Sequence, residues 1–505
     1  MATFLNDYLG IDTAAFESYG AVNISVVNDL PLFIDPFLLF HSEKAEYMAL
    51  HEQIIKYLVF LRDRAANGHV SEGQLRNWYC FPEVKQNWLG FSERGNGGAG
   101  LGIDFARNLH ANLHVIFSDF GVEKITESSH LEKVCLVSDG VGRDNISDFT
   151  TNLIQDFLCI YTEEFAAKYL PTHAVREVSI NRAKFNYHTQ CWSRERYKLP
   201  WVNGDYVILT PKDMLTRDEN WINRNDLIFG FEDIPEAIPD VQLRTAVFDY
   251  FELELRRRTK VDTPDLKVRR THTREREPTK KERSAAVIVT MQKFPQIVDY
   301  YIKLKEMWGD QAKDMSQERV LATEYLFIEQ LGELQSALLA NTKFYKVGKT
   351  TYEEAHARLA YLKDVIENKG GHRFFYDKNG RQIEREQDLH VLFRLVWFGT
   401  PSDASAEAND GRGPVDFKIS RGQDKTLVEM KLAKNTKLKK NLAKQVEIYQ
   451  AASDAKNAIK AIIYFTASEL ARVKGILKEL GLEGNKDVVL IDARRDNKPS
   501  ASKAA

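Results

Sequence analysis

Pro414-Val415-Asp416-Phe417-Lys418-Ile419-Ser420 and, after the polar turn Arg421-Gly422-Gln423-Asp424-Lys425, Thr426-Leu427-Val428-Glu429-Met430-Lys431-Leu432 are the stretch on which the fold of the C-terminal block turns. Apolar and polar residues alternate on both sides of the turn, the pattern of two paired β-strands. Successive strand side chains alternate between faces, so Glu429 and Lys431 share one face while Val428, Met430 and Leu432 share the other. Asp416 interrupts Val415 and Phe417 on a strand that should be buried, where an isolated carboxylate is costly. Two acids and an amine thereby converge. Carboxylate oxygens can hold Mg²⁺, and a lysine beside them can steady a water or the charge on a phosphate, which is the chemistry of phosphodiester hydrolysis. A surface hairpin with an ordinary Glu429–Lys431 ion pair is the plain alternative.

Flanking patterns extend the block. Leu389, Leu392, Phe393, Leu395 and Val396 predict a helix over 384–398, and 401–413 reads as a polar loop. Leu438, Leu442, Val446 and Tyr449 predict a helix after the second strand, with Gln445 near the face of Tyr449. A strand over 459–465, a helix opened by a capping box at Thr466-Ala467-Ser468-Glu469 and stopped at Gly481, and a strand over 488–491 follow. The order α-β-β-α-β-α-β predicts a compact mixed sheet covered by helices. A hairpin at Asp377-Lys378-Asn379-Gly380 opens the block.

These residues resemble the PD-(D/E)XK nuclease superfamily, with its restriction-endonuclease-like α/β core. The resemblance covers only the C-terminal block. It implies Asp416 as the strand acid, Glu429 and Lys431 as the Glu-x-Lys pair, Gln445 as the polar residue of the following helix, and Glu386 as the acid of the leading helix, with Glu384 and Asp388 competing. Pro414 precedes Val415 instead of adjoining Asp416, a departure from the family name. By the same resemblance Asp416, Glu429 and the carbonyl of Met430 hold Mg²⁺, or Mn²⁺ in its place. Lys431 orients or deprotonates water, and Gln445 positions Lys431 or the phosphate. Lys431, Lys434, Lys437, Lys439, Lys440 and Lys444 stand in fourteen residues without one acid. Beside a metal site they read as a phosphate-backbone track, and otherwise as the solvated face of a loop and helix. Glu407 and Arg412, in the loop before Asp416, are further candidates.

The rest of the chain bounds this reading. With 505 residues, 43% hydrophobic and 28% charged, and a formal net charge of −2, the protein is expected to be a multidomain α/β molecule that meets any nucleic acid through local basic patches. The expected order is an N-terminal α/β or α+β domain (1–255), a basic linker (256–283), a helical spacer (284–369), the nuclease-like block (370–495) and a disordered tail (496–505). The linker carries twelve Lys or Arg against five acids. In the first domain, strands are expected at 21–27, 131–137 and 206–209, and helices at 45–62, 146–168 and 241–255. Met1 to Asp7 has no signal-peptide character and no apolar run suits a membrane span, which predicts a cytoplasmic protein. Four scattered cysteines without a CxxC pair indicate neither a zinc knuckle nor a disulfide framework.

Several tempting signals read as ordinary structure. Gly348-Lys349-Thr350 lacks the first phosphate-loop glycine, its place being taken by Lys343. The glycines from Gly95 to Gly102 read as a surface loop. Ser138 to Asp144 reads as a turn before a capped helix, with a second polar site at Asp144 and Asp148 the sharper alternative. His110 and His114 lack an intervening HExxH pattern and a third ligand.

The resemblance implies a Mg²⁺-dependent DNA endonuclease of the kind used in prokaryotic defence against phage or plasmid DNA. A homodimer, or further subunits, is the expected assembly, with no membrane partner. An RNase or structure-specific repair nuclease on the same core is the first alternative. A nucleic-acid-binding protein with a vestigial core is the second.

Overall fold

Apolar residues of the helix Ala45–Ala66 recur at Leu50, Ile54, Tyr57, Leu58 and Leu61, and burying that stripe organises the N-terminal half. The computed structural model describes residues 4–26, 29–67, 70–90, 101–116, 123–137, 141–217, 219–265, 270–275, 277–330, 332–333, 349–376, 382, 389, 403–409, 414–421, 423–443 and 457–498. Besides a short β1 (Phe33–Ile34), this half holds a separate antiparallel sheet in which a long hairpin, β2 (Val175–Asn186) and β3 (Cys191–Val202), continues into β4 (Asp205–Tyr206). The helix Gln155–Tyr169 lies against this hairpin. Tyr57, Phe60, Phe185 and Trp192 interlock there with ring centroids 4.8 to 5.6 Å apart. β5 (Leu215–Thr216) pairs back to β1.

Several local expectations are corrected. Residues 131–137 hold a helix, Lys133–Val137, and no strand. Leu131, Val134 and Cys135 are all buried at i, i+3 and i+4, and a short apolar run does not distinguish a buried helix from a strand. Over 21–27 the described backbone makes only isolated bridges, Ala21 to Pro211 and Ser25 to Phe4. Of 206–209 only Tyr206 belongs to a ladder. The expected helix 146–168 breaks at Ile154 into Arg143–Leu153 and Gln155–Tyr169.

The described residues of the basic segment 256–283 include helix and strand. The helix Val241–Thr259 runs into it, β6 (Lys260–Asp265) and β7 (Arg270–Glu275) form a hairpin, and a capping box at Thr279 opens the helix Lys280–Lys293. Arg257 and Arg258 both bind Glu254, at 2.6 and 2.5 Å, so these cations are engaged within their own helix. Helices Ile297–Met307, Gly309–Glu324 and Thr351–Asn368 follow the helical periodicity. Thr350 accepts from the Glu353 amide as the N-cap of the last of these, the structural role of the would-be phosphate-loop threonine.

Five strands make the C-terminal sheet: β8 (Asp403–Asn409), β9 (Pro414–Arg421), β10 (Asp424–Leu432), β11 (Asn457–Tyr464) and β12 (Val488–Asp492), in the order β12-β11-β10-β9-β8. β8, β9 and β10 run antiparallel, and β11 and β12 are parallel to β10. Val428, Met430, Leu432, Ile459, Ala461 and Ile463 pack on Leu359, Leu362, Val365 and Ile366 of the helix Thr351–Asn368. The Asp424 carboxylate, at the β9–β10 turn, accepts from the Thr351 amide at 2.6 Å and its hydroxyl at 2.9 Å, and Arg421 binds Glu354 one turn on. The opposite face carries Ile462 and Tyr464 against Leu438, Leu442, Val473, Ile476 and Leu477.

β8 replaces the expected polar loop. Its Ala- and Ser-rich sequence has little strand propensity, and pairing along β9 supplies what propensity lacks. The helix Ala467–Glu479 is capped by Thr466, while Glu469 reaches the Phe465 amide instead of closing the expected box on Thr466. Gly481 takes φ 66, the left-handed turn that suits glycine after a helix. Of the expected helix 384–398 only Leu389 is described, and the turn 377–381 lies outside the described residues, flanked by a bridge from Tyr376 to Gln382. Residues 499–505 of the expected tail also lie outside them. The chain is thus a mixed α/β protein. Among the described residues no helix is long and apolar enough to cross a membrane.

Candidate active site

Strand register assembles the site. Glu429 of β10 is the Cα partner of Lys460 on β11, and Lys431 that of Ile462. On the other side Val428 pairs with Phe417, the last pair of the β9–β10 register, and Asp416 precedes Phe417 on β9. Between β8 and β9, Ala406–Phe417 and Ala408–Val415 bracket Glu407 opposite Asp416. Positions opposite one another share a face of the sheet, so Glu429 and Lys460 lie on one face, while Glu407 and Asp416 stand on the neighbouring strands β8 and β9.

Glu429, Lys431 and Lys460 are only 6, 7 and 5% exposed. The Lys460 ammonium donates to the Leu442 carbonyl at 2.9 Å. Burial pushes its pKa below the usual lysine value, and the neighbouring Glu429 carboxylate pushes it back up. Lys460 was missed by sequence reasoning, which treated its strand as an apolar run. The available signal was one charged residue inside Ala458-Ile459-Lys460-Ala461-Ile462-Ile463.

The lysine track divides on inspection. Lys437 and Lys440 are exposed and Lys434 is half-buried. Lys439 is bound to Glu479 at 2.5 Å. Arg472, also unforeseen, donates to the carbonyls of Lys434 and Asn435 at 3.3 and 2.7 Å and fixes the turn after β10. Glu386, Arg412, Lys444 and Gln445 lie outside the described residues, as do Glu384, Asp388 and Tyr449, and the side chains of Glu407 and Asp416 are likewise outside them. Among the described residues no group of three His, Cys, Asp or Glu side chains is gathered to hold a metal ion. Glu429 provides the donor chemistry that Mg²⁺ takes, carboxylate oxygen, and Asp416 and Glu407 stand on the neighbouring strands β9 and β8.

A second set of buried polar groups lies in the N-terminal half. Asp35 accepts from the amides of Phe37 and Trp221, at 3.1 and 2.7 Å. Glu306 accepts from the amides of Glu127 and Ser128 and meets His130 at 2.9 Å. Burial, with Asp35 nearby, holds the Glu132 carboxyl well above the usual carboxylate range. Asp148 is pushed up to about 8 by burial and by Asp144 and Glu83, and burial raises Asp144 as well. His110 stands edge-on to Tyr79 at 5.2 Å, and all four cysteines are free thiols.

Comparison with known proteins gives two partial family matches. Residues 10–223 match a family described as a domain of unknown function (DUF8370). Residues 351–467 match a second domain of unknown function (DUF8371), a span running from the helix Thr351–Asn368 through β8 to β11. No curated protein and no solved structure matches the chain.

Proposed function

We propose that the chain is a Mg²⁺-dependent nuclease acting on DNA in the cytoplasm. The observation that carries this reading is the strand order β8-β9-β10, which makes the strands of Glu407, Asp416 and Glu429 neighbours, with Lys431 one pleat beyond Glu429, about 7 Å along the strand. The mixed sheet of β8 to β12, with helices on both faces, supports the same reading. In it, Asp416 and Glu429 would hold the ion, with the Met430 carbonyl as a further donor. The bound ion would supply Lewis acidity at the phosphate and a more acidic water. Lys431 would orient that water or stabilise the charge that develops on the phosphate oxygens. Gln445 would position Lys431, and the exposed Lys437 and Lys440 would contact the phosphate backbone.

The N-terminal half would recognise the target, a partner or a trigger, the organisation of a defence effector against phage or plasmid DNA, and homodimerisation would bring two sites to a duplex. A plasmid-nicking assay with Mg²⁺ tests the assignment. Wild type should cut, and Glu429→Ala, Lys431→Ala and EDTA should each abolish cutting. Equal cutting by wild type and both variants would overturn it. Duplex DNA, single-stranded DNA and RNA offered in parallel decide the substrate, with RNA-only cleavage overturning the DNA reading.

A further inference from the structure

We propose that the N-terminal half carries a nucleotide-binding site in the cavity between the helix Ala45–Ala66 and the β2–β3 hairpin, with the base against an aromatic wall and the phosphate at Lys56 and Lys184. The site lies outside the nuclease-like sheet and does not depend on the function assigned there.

The cavity holds about 380 Å³, within the range of about 300–1,000 Å³ over which pockets enclose small ligands. The hairpin builds its wall. Phe185 and Trp192 are Cα partners and share a face, with ring centroids 5.4 Å apart, and Tyr57 of the helix closes on them at 4.8 and 5.6 Å. Tyr187 stands edge-on to Phe185 at 5.2 Å. Tyr57 and Phe185 are buried, whereas Tyr187 and Trp192 are half-buried, so the two outer rings keep surface for a planar ligand. The Trp192 ring is also held in place. Its N–H donates to the Asn77 carbonyl at 3.0 Å, and Arg182, which donates to the same carbonyl and to that of Cys80, lies 4.7 Å from the ring centre. A wall fixed before binding costs little ordering entropy when the ligand arrives.

The charges at the cavity select the ligand. Lys56 lies 4.5 Å over the Tyr187 ring, and Lys184 is exposed, with Asp156 at 3.7 Å, beyond hydrogen-bond reach. That Asp156 carboxylate accepts from Tyr197 at 2.6 Å. Ammonium groups beside aromatic faces suit a phosphate joined to a planar base, charge for one end and stacking for the other. Glu52 and the Gln53 carbonyl add acceptors for base amino groups or ribose hydroxyls, while the Gln53 amide nitrogen donates to the Leu153 carbonyl at 2.8 Å. A purely apolar ligand gains nothing from the lysines, and a bare phosphate gains nothing from the rings.

The test is calorimetric titration of the full chain, in EDTA so that no metal ion takes part, with AMP, GMP, CMP, UMP, ribose 5-phosphate and a short single-stranded oligonucleotide. At least one nucleotide should bind, and ribose 5-phosphate should bind about tenfold more weakly or worse, the loss of one base stack. The double variant Lys56→Ala, Lys184→Ala leaves the aromatic packing in place and should weaken binding about tenfold or more with an unchanged melting temperature. Trp192→Leu should weaken it by a similar factor, while Trp192→Phe, which keeps a stacking ring, retains most of it. Tighter binding of the oligonucleotide with the same dependence on Lys56 and Trp192 assigns the cavity to a nucleotide within a strand, and tighter binding of a monophosphate assigns it to a free nucleotide. No binding of any nucleotide, binding that the lysine double variant leaves unchanged, or ribose 5-phosphate binding equal to the best nucleotide overturns the proposal.

Discussion

Glu306 in the N-terminal half and Glu429 in the C-terminal sheet are both buried, and their surroundings differ in kind. Glu306 receives two backbone amides and His130, donors that the fold itself fixes in place. Glu429 sits in a strand row with Lys460 beside it and Lys431 two positions on. Amides are dipoles locked into the backbone, and a carboxylate they satisfy belongs to the architecture. Lysine charges on a sheet face can be opposed or replaced by an ion. Buried acid by itself therefore does not mark a site. What surrounds it does.

The largest expected effect separates the two glutamates directly. Glu429→Gln should lower cleavage by about a thousandfold or more, the scale of losing a charge-stabilising group, with little change in melting temperature. Glu306→Ala leaves two amides and a histidine without their acceptor and should cost about 2–4 kcal/mol in chemical denaturation, with the folded fraction still cutting. A Glu306→Ala protein that melts normally but cannot cut would break the comparison.

Next in size are the pH effects, which belong to the N-terminal half. His51 is pushed down to about 3 by burial, with His130 adding to the shift. Its folded pKa is below the unfolded one, so its contribution is complete above about 6.5 and is lost as pH falls toward 3, with a slope of at most about 1.4 kcal/mol per pH unit. Asp148 works the other way. With its folded pKa raised to about 8, its contribution is full below the unfolded carboxylate value and is lost as pH rises through 8. Asp148→Asn should therefore raise the melting temperature at pH 8, and the gain should vanish near pH 4. A destabilised Asp148→Asn at pH 8 would assign Asp144 and Asp148 to a polar site that needs the charge.

The smallest effects divide the lysines. Lys437→Ala and Lys440→Ala should each reduce the salt dependence of DNA binding by about one unit of slope. Lys439→Ala, whose charge is already bound to Glu479, should change that slope little and cost no more than about 1 kcal/mol of stability. Equal effects from all three would show that the Lys439–Glu479 pair opens on binding.

Much of the C-terminal sheet was legible because its signals are local. Period-two alternation at 415–420 and 426–432 and short apolar runs at 459–465 and 488–491 lie within or beside β9, β10, β11 and β12. Sequence failed where the signal was weak or shared between structures. β8 has three Ala among polar residues, with little strand propensity, and exists through its pairing with β9. The run 131–137 is apolar enough for either a strand or a buried helix, and packing settled it as a helix.

By itself the sequence determined that Glu429 and Lys431 lie on the same side of one strand, because side-chain alternation is a property of a single extended chain. It also determined the apolar faces that bury the sheet against its helices. Only the tertiary structure decided that Lys460, thirty-one residues further on, stands beside Glu429, and that Glu407 sits opposite Asp416. Register is set by hydrogen bonds between strands distant in sequence, and one residue of slip would have sent those side chains to the other face.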